Sequence, residues 1–152
     1  MLDWSLAVFV VLCIVAASSG ALFQPGAWYE TLDKPSWTPP NWSFGVVWTI
    51  LFLMIAVAGW LVWRAGGWSL PVVLWGAQLV VNAAWSWLFF GRRRMDLAFV
   101  DVVLLWLLIA AFIVSASALS GWAALLFVPY LVWVSIAAAL NRSVWRRNPQ
   151  VA

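Results

Sequence analysis

The sequence predicts an all-α integral membrane bundle: five transmembrane helices in a single domain, residues 1–152, with a long aromatic and proline-rich loop between helices 1 and 2. Three observations predict it. Hydrophobic residues make up 66% of the chain and charged residues 9%, where soluble domains carry about 45–50% and about 25%. A globule of this size has too little interior to hide that much apolar surface, so the bilayer must act as solvent. The 152 residues hold five spans and little else, at roughly 20 residues per span. Finally, 15 residues are tryptophan, and three crowd one loop, two in Trp37-Thr38-Pro39-Pro40-Asn41-Trp42 and Trp28 just before it.

The first span is expected over residues 4–23. Its start, Met1-Leu2-Asp3, carries an acid and no base, against the pattern of a cleaved signal peptide. Leu12, before Cys13, is too large for a lipoprotein cleavage site. The span ends in Ala16, Ala17, Ser18, Ser19, Gly20 and Ala21, whose small side chains let another helix approach closely in lipid. Gln24-Pro25-Gly26 stops it. The connection over residues 24–42, with Glu30, Asp33, Lys34 and four prolines, exceeds the usual loop length and is a candidate lid. A short helical turn is expected at 27–32.

Span two is expected over 44–64, with Ser43 or Asn41 as N-cap, and Ala65-Gly66-Gly67 as the turn after it. Span three covers 69–90, broken by Gly91-Arg92-Arg93-Arg94; span four covers 95–119, ended by Ser120-Gly121; span five covers 122–145. Within span five, Pro129 removes an amide donor, so a kink is expected there. Lys34, Arg92 to Arg94, Arg142, Arg146 and Arg147 then fall on the side of the C-terminus, and only Arg64 on the other. The positive-inside rule places the C-terminus and first loop in the cytoplasm and the N-terminus outside.

Composition also excludes. The chain has no histidine, which removes the commonest metal and haem ligand and any His-dependent catalytic triad. No metal site and no required cofactor are expected. Cys13 is the only cysteine, so no internal disulfide forms. The cations sit at membrane edges rather than on one soluble face, so nucleic acid is not a partner.

Most tryptophans fall at span ends, where belt anchoring accounts for them. Trp48, Trp75, Trp106 and Trp133 do not. On span three, Gln78, Asn82, Trp85 and Phe89 share one helical face; periodicity alone reads equally as interhelical glue and as a ligand cavity. Phe44, Trp48 and Phe52 share a face of span two, and Pro129, Trp133, Ala137 and Asn141 one of span five. Asn82, Asn141 and Tyr130 are candidate polar contacts for a mostly apolar ligand. Asp101, about two turns inside span four, is expected to pair with Arg92 to Arg94 or to serve a proton or ligand.

The motif Lys34-Pro35-Ser36-Trp37-Thr38-Pro39-Pro40-Asn41-Trp42, then Phe44 and Trp48, resembles the TspO/MBR family of translocator and tryptophan-rich sensory proteins. Gly76-Ala77-Gln78-Leu79 through Asn82 and Trp85, Phe89-Phe90-Gly91-Arg92-Arg93, Pro129-Tyr130-Leu131-Val132-Trp133, and Leu140-Asn141 with Trp145-Arg146 extend the resemblance over nearly the whole chain. It implies a five-helix bundle, often a homodimer, that binds porphyrins or haem and benzodiazepine-type small molecules. The pocket positions it implies are Trp37, Pro40, Trp48, Phe52, Asn82, Trp85, Phe89, Trp133 and Ala137. The family's sterol pattern needs a tyrosine soon after Leu140, and Asn141-Arg142 stands there instead, which argues against sterol recognition through it.

The function expected is a membrane receptor or sensor for tetrapyrroles, with Trp37, Trp48, Trp85 and Trp133 stacking on the disc and Lys34 or indole N–H groups meeting its carboxylates. With no acid–base pair or nucleophile in the pocket, no catalytic residue is assigned. The alternatives are light-driven porphyrin breakdown, with Trp48 and Trp133 as electron donors, and a transporter of tetrapyrroles or steroids. The restricted backbone at Pro39 and Pro40 yields a prediction. Replacing both by glycine is expected to raise the ligand off-rate more than it lowers the on-rate. Protease cleavage within the wild-type loop is expected to fall when porphyrin is added, and equal cleavage with and without it rejects a lid.

Overall fold

A computed structural model describes residues 4–149; Met1-Leu2-Asp3 and the last residues of the expected 1–152 domain lie outside them. The helices are α1 (Trp4–Leu22), α2 (Ala27–Glu30), α3 (Asn41–Gly66), α4 (Leu70–Ser86), α5 (Met95–Ala116), α6 (Gly121–Leu126) and α7 (Val128–Arg147), and a π-helical turn, Trp87–Gly91, continues α4. No strand occurs among the described residues. Five helical stretches are long and apolar enough to cross a membrane, the third formed by α4 with its π turn and the fifth by α6 with α7.

Local chemistry explains where the boundaries differ from expectation. Helix α3 begins at Asn41, with neither Asn41 nor Ser43 as its cap: Pro40 holds the N-cap position in extended backbone. The Pro40 carbonyl accepts from the Ser43 amide at 3.0 Å and from Ser43 Oγ at 2.6 Å. The helix runs on to Gly66 and stops where Gly67 takes φ 58°, its amide donating to the Trp63 carbonyl at 2.8 Å, a left-handed stop that glycine adopts without strain. In the fifth span Pro129 sits in the first turn of α7, and the chain breaks at Phe127. The expected kink is thus an interruption, because proline is accepted in a first turn and not in a helix interior.

The spans pack in a ring. Helix α5 lies between α4 and α7, α4 also touches α1, α1 packs on α3, and α3 closes the ring on α6. No comparable packing joins α3 to α7. The ring is therefore shut at the α6 end and open at the end that carries the first loop. At the shut end Trp75 donates its indole N–H to the Ile55 carbonyl at 2.8 Å and meets Phe9 edge-on at 4.9 Å. Beside them Phe112 and Phe127 lie tilted on each other with centroids 4.0 Å apart, and Phe127 meets Tyr130 edge-on at 5.2 Å.

Gly59 is the keystone of that end. A Cβ there would stand 2.5 Å from the Trp75 ring and 2.8 Å from Phe9, and the indole is pinned by its hydrogen bond. Gly59→Ala is expected to destabilise the bundle by about 1–3 kcal/mol, the range for overpacked cores. Gly76, with nothing within 4 Å of a built Cβ, provides the control: Gly76→Ala is expected to leave the detergent melting temperature unchanged or higher. Equal melting of the two variants contradicts the packing.

Candidate ligand-binding site

Where α3 and α7 diverge, a cavity of about 650 Å³ opens among α1, α3, α4, α5 and α7, with the first loop above it. That lies within the roughly 300–1,000 Å³ of small-molecule pockets. Trp48 and Phe52 form one wall from α3, tilted on each other with centroids 5.7 Å apart. Trp85 and Phe89 form the facing wall from the end of α4, stacked at 5.0 Å. Trp133 and Ala137 come from α7, and Phe44 meets Trp133 edge-on at 5.6 Å.

The π turn sets the second wall. Its wider winding, closed by the Arg92 amide on the Trp87 carbonyl at 2.7 Å, aims Phe89 and Phe90 together at the loop. Phe90 and Tyr29 meet at 5.5 Å, and Phe89 and Tyr29 at 6.2 Å. Tyr29 is buried and lines the cavity. Its burial first, and the Glu30 carboxylate second, push the phenol pKa up.

The floor is polar. Asn82 Nδ2 donates to Tyr130 Oη at 2.6 Å, and Tyr130 donates to Gln78 Oε1 at 2.7 Å. Gln78 in turn donates to the Trp75 carbonyl at 2.9 Å. Gln78 and Tyr130 are sealed below the cavity, and only Asn82 of the three lines it. The two readings of this face thus combine: one chain of hydrogen bonds glues α4 to α7, and its upper member touches the cavity. Higher up, Trp85 Nε1 donates to Asn141 Oδ1 at 2.9 Å, and Asn141 Nδ2 to the Met95 carbonyl at 3.0 Å, tying α4, α7 and α5. One donor is left over. Trp133 Nε1 is buried with no hydrogen-bond partner, a costly state that an acceptor on a ligand would relieve.

Of the expected site residues, Trp48, Phe52, Asn82, Trp85, Phe89, Trp133 and Ala137 are brought together around the cavity. Trp37 and Pro40 lie outside its lining, and Trp37 and Trp42 are 50% and 74% exposed, so neither indole roofs the cavity. The roof is instead Phe23, Gln24, Pro25, Tyr29 and Asn41, with Asn41 Nδ2 donating to Glu30 Oε1 at 3.0 Å. The apolar pair Tyr29 and Leu32, spaced for one helical face in the expected turn, carried the signal for this. Lys34 is not poised for a ligand carboxylate: Nζ donates to the Tyr29 and Leu32 carbonyls at 2.9 and 3.3 Å and lies 4.6 Å above the Tyr29 ring. The other interior tryptophans are structural. Trp75 is core, and Trp106 donates to Ser135 Oγ at 2.8 Å between α5 and α7.

Two further expectations change. The small residues of α1 do pack closely, Ser19 Oγ donating to the Ala83 carbonyl, but Ala16, Ala17, Gly20 and Ala21 also line the cavity. Gly20 and Ala21 of α1 and Gly45 and Leu53 of α3 line it while exposed, so it opens sideways between these helices. Asp101 does not pair with the arginines. Arg94 forms a two-pronged bond with Asp96 at 2.8 and 3.0 Å, Arg92 lies over Trp87 and Arg93 over Trp28. Asp101 Oδ2 is buried without a hydrogen-bond partner.

Residues 9–146 match the sequence profile of the TspO/MBR family. The chain is 41% identical over 150 residues to protein CrtK of Rhodobacter capsulatus, covering 94% of this chain and 92% of that one. It is 38% identical over 148 residues to a tryptophan-rich sensory protein of Cereibacter sphaeroides, covering 97% and 94%. It is 42% identical over 126 residues to the translocator protein of Sus scrofa, covering 80% and 75%.

The double duty of Asn82 generates a prediction. Asn82→Leu removes one donor from Tyr130, whose hydroxyl keeps its bond to Gln78. Stability is expected to fall by about 0.5–1.5 kcal/mol, the worth of one net hydrogen bond, with the bundle still folded and ligand affinity reduced. A large loss of melting temperature with affinity unchanged assigns Asn82 to helix glue alone.

Proposed function

This chain belongs to the TspO/MBR family, and from that premise we propose that it is a membrane receptor or sensor for tetrapyrroles and other flat apolar ligands. The observation that carries the reading is a membrane-embedded cavity walled by facing indole and phenyl rings with one unanswered indole donor, Trp133 Nε1. A porphyrin is a flat aromatic disc with hydrogen-bond-accepting carboxylates on one edge. Trp48, Phe52, Trp85 and Phe89 offer it π faces, and Trp133 offers the donor. In this proposal no cofactor is required: the porphyrin or haem is the ligand, and with no histidine in the chain an iron-free porphyrin, or haem without an axial imidazole, fits better. A benzodiazepine-type molecule, also flat and rich in acceptors, suits the same walls. The names of the relatives, one a sensory protein and one a translocator, agree with a membrane protein that handles small ligands.

The sideways opening between α1 and α3 supports loading from the bilayer, where an apolar disc partitions. Orientation follows from charge: Arg92 to Arg94, Arg142, Arg146 and Arg147 cluster at the loop end of the bundle. By the positive-inside rule this proposal puts the loop and C-terminus in the cytoplasm and the N-terminus outside. It also includes the homodimer that the family resemblance implies, which mass measurement in detergent decides.

A second reading, light-dependent oxidative breakdown of bound porphyrin, is favoured by one observation: Trp48 and Trp133, the candidate electron donors, line the same cavity. Trp133→Phe separates the readings. It preserves most packing and removes the donor, so porphyrin affinity, followed by tryptophan fluorescence in darkness, is expected to fall about two- to tenfold, the worth of one hydrogen bond. If neither affinity nor light-dependent conversion changes, Trp133 is filler and its role is rejected. Loss of light-dependent conversion with affinity intact favours the enzyme over the receptor.

A further inference from the structure

Asn148 follows the last turn of α7, outside the cavity, yet it is only 5% exposed. Its carboxamide is fully engaged. Oδ1 accepts from the Asp33 amide at 3.0 Å, and Nδ2 donates to the Asp33 carbonyl at 2.9 Å and to the Val144 carbonyl at 2.7 Å. A side chain that answers both the N–H and the C=O of one loop residue pairs with it as a neighbouring strand would, and it bridges 115 positions of sequence. Apart from Ser43 Oγ on the adjoining Pro40 carbonyl, no other side chain from the spans hydrogen-bonds the loop backbone among the described residues. Asp33 follows directly on the segment that holds Tyr29 and Leu32, both buried against Phe89, Met95, Leu140 and Val144. Fixing Asp33 therefore presses the Tyr29 roof onto the cavity mouth.

The same helix face runs down into the site. Ala137, Asn141 and Val144 line the cavity, and Asn148 extends that row by one turn. We infer that Asn148 is a positioning residue: its carboxamide is the latch that holds the first loop closed over the cavity and sets how long a ligand stays. Arg147 is not the latch. Its contact with Asp33 is 3.6 Å long between half-exposed and exposed groups, and such surface pairs contribute little. The inference rests on the cavity being a ligand site, and its test separates the two claims.

The full-length protein in detergent is compared with Asn148→Leu, Asn148→Asp and Arg147→Ala. The first readout is hydrogen exchange at the Asp33 amide and along residues 31–38, without ligand. Asn148→Leu is expected to accelerate it about tenfold or more, the effect of losing one or two net hydrogen bonds, while exchange in the spans and their melting stay as in wild type. Asn148→Asp keeps the acceptor and loses the donor, so it is expected to fall in between, and it carries the test if the leucine variant does not fold. Arg147→Ala is expected to match wild type. The second readout is dissociation of protoporphyrin in darkness, expected to quicken by a similar factor in Asn148→Leu with the on-rate little changed. Loop exchange equal to wild type in both Asn148 variants overturns the latch. Faster exchange with an unchanged off-rate overturns its control of residence time. A wild-type protein that binds no protoporphyrin defeats the receptor reading instead, and the exchange arm alone then decides whether the latch exists.

Discussion

The hydrogen-bonded chain from Gln78 through Tyr130 to Asn82 fixes where α7 sits against α4, and the position of the cavity follows from it. In hydrocarbon these polar groups have no water to turn to, so each must find its partner inside the bundle. Their meeting ties the two helices through side chains at mid-depth. On one side of that level a ring-rich core with Phe112, Phe127, Trp75 and the close approach at Gly59 closes the bundle. On the other side α3 meets α7 through ring contacts such as Phe44 on Trp133 rather than by close helix packing, and space remains. One end is solid and the other hollow, because the polar level lies between a break in the fifth span and the aromatic walls.

The hollow end is made of stiff parts joined by soft ones. Trp48, Phe52, Trp85 and Phe89 are carried on helices, and rings on helices keep their orientation. The loop above them has no regular structure beyond α2, and its hold on the spans runs through Tyr29, Leu32 and the Asn148 carboxamide. Its prolines restrict the open state, so closing over a ligand orders fewer degrees of freedom. A rigid cup with a stapled cover suits slow release of a tightly stacked ligand, and the lateral gap between α1 and α3 leaves a route in from the bilayer.

Much of this is written locally in the sequence. Long apolar runs punctuated by Gly, Pro and Arg give the spans, and a helical stripe of amides and aromatics gives the cavity-facing side of α4. What is not local escapes a reading of residues. The Trp87–Gly91 stretch carries no signal for a π turn; there a Cβ on Gly91 would stand 2.8 Å from Phe23 of the connection after α1. Trp37 and Trp42 look like a roof by composition, yet both are exposed, and the loop is tied to the spans at Asp33 by Asn148, far along the chain. Lys34 looks free for an anion, but three-dimensional proximity turns it onto loop carbonyls. Asp101 looks paired by sequence distance, while its nearest arginine in sequence, Arg94, closes on Asp96.

The central claim is that a flat ligand occupies the hollow end, between the aromatic walls and under the loop. Differential hydrogen exchange across the whole chain, with and without saturating protoporphyrin in darkness, tests it most directly. The account predicts slowed exchange in residues 27–33, 41–49 and 137–148, with the α6 end and the C-terminal half of α3 unchanged. Protection centred on α6 and the C-terminal half of α3, or spread evenly over the lipid-facing surfaces, contradicts it.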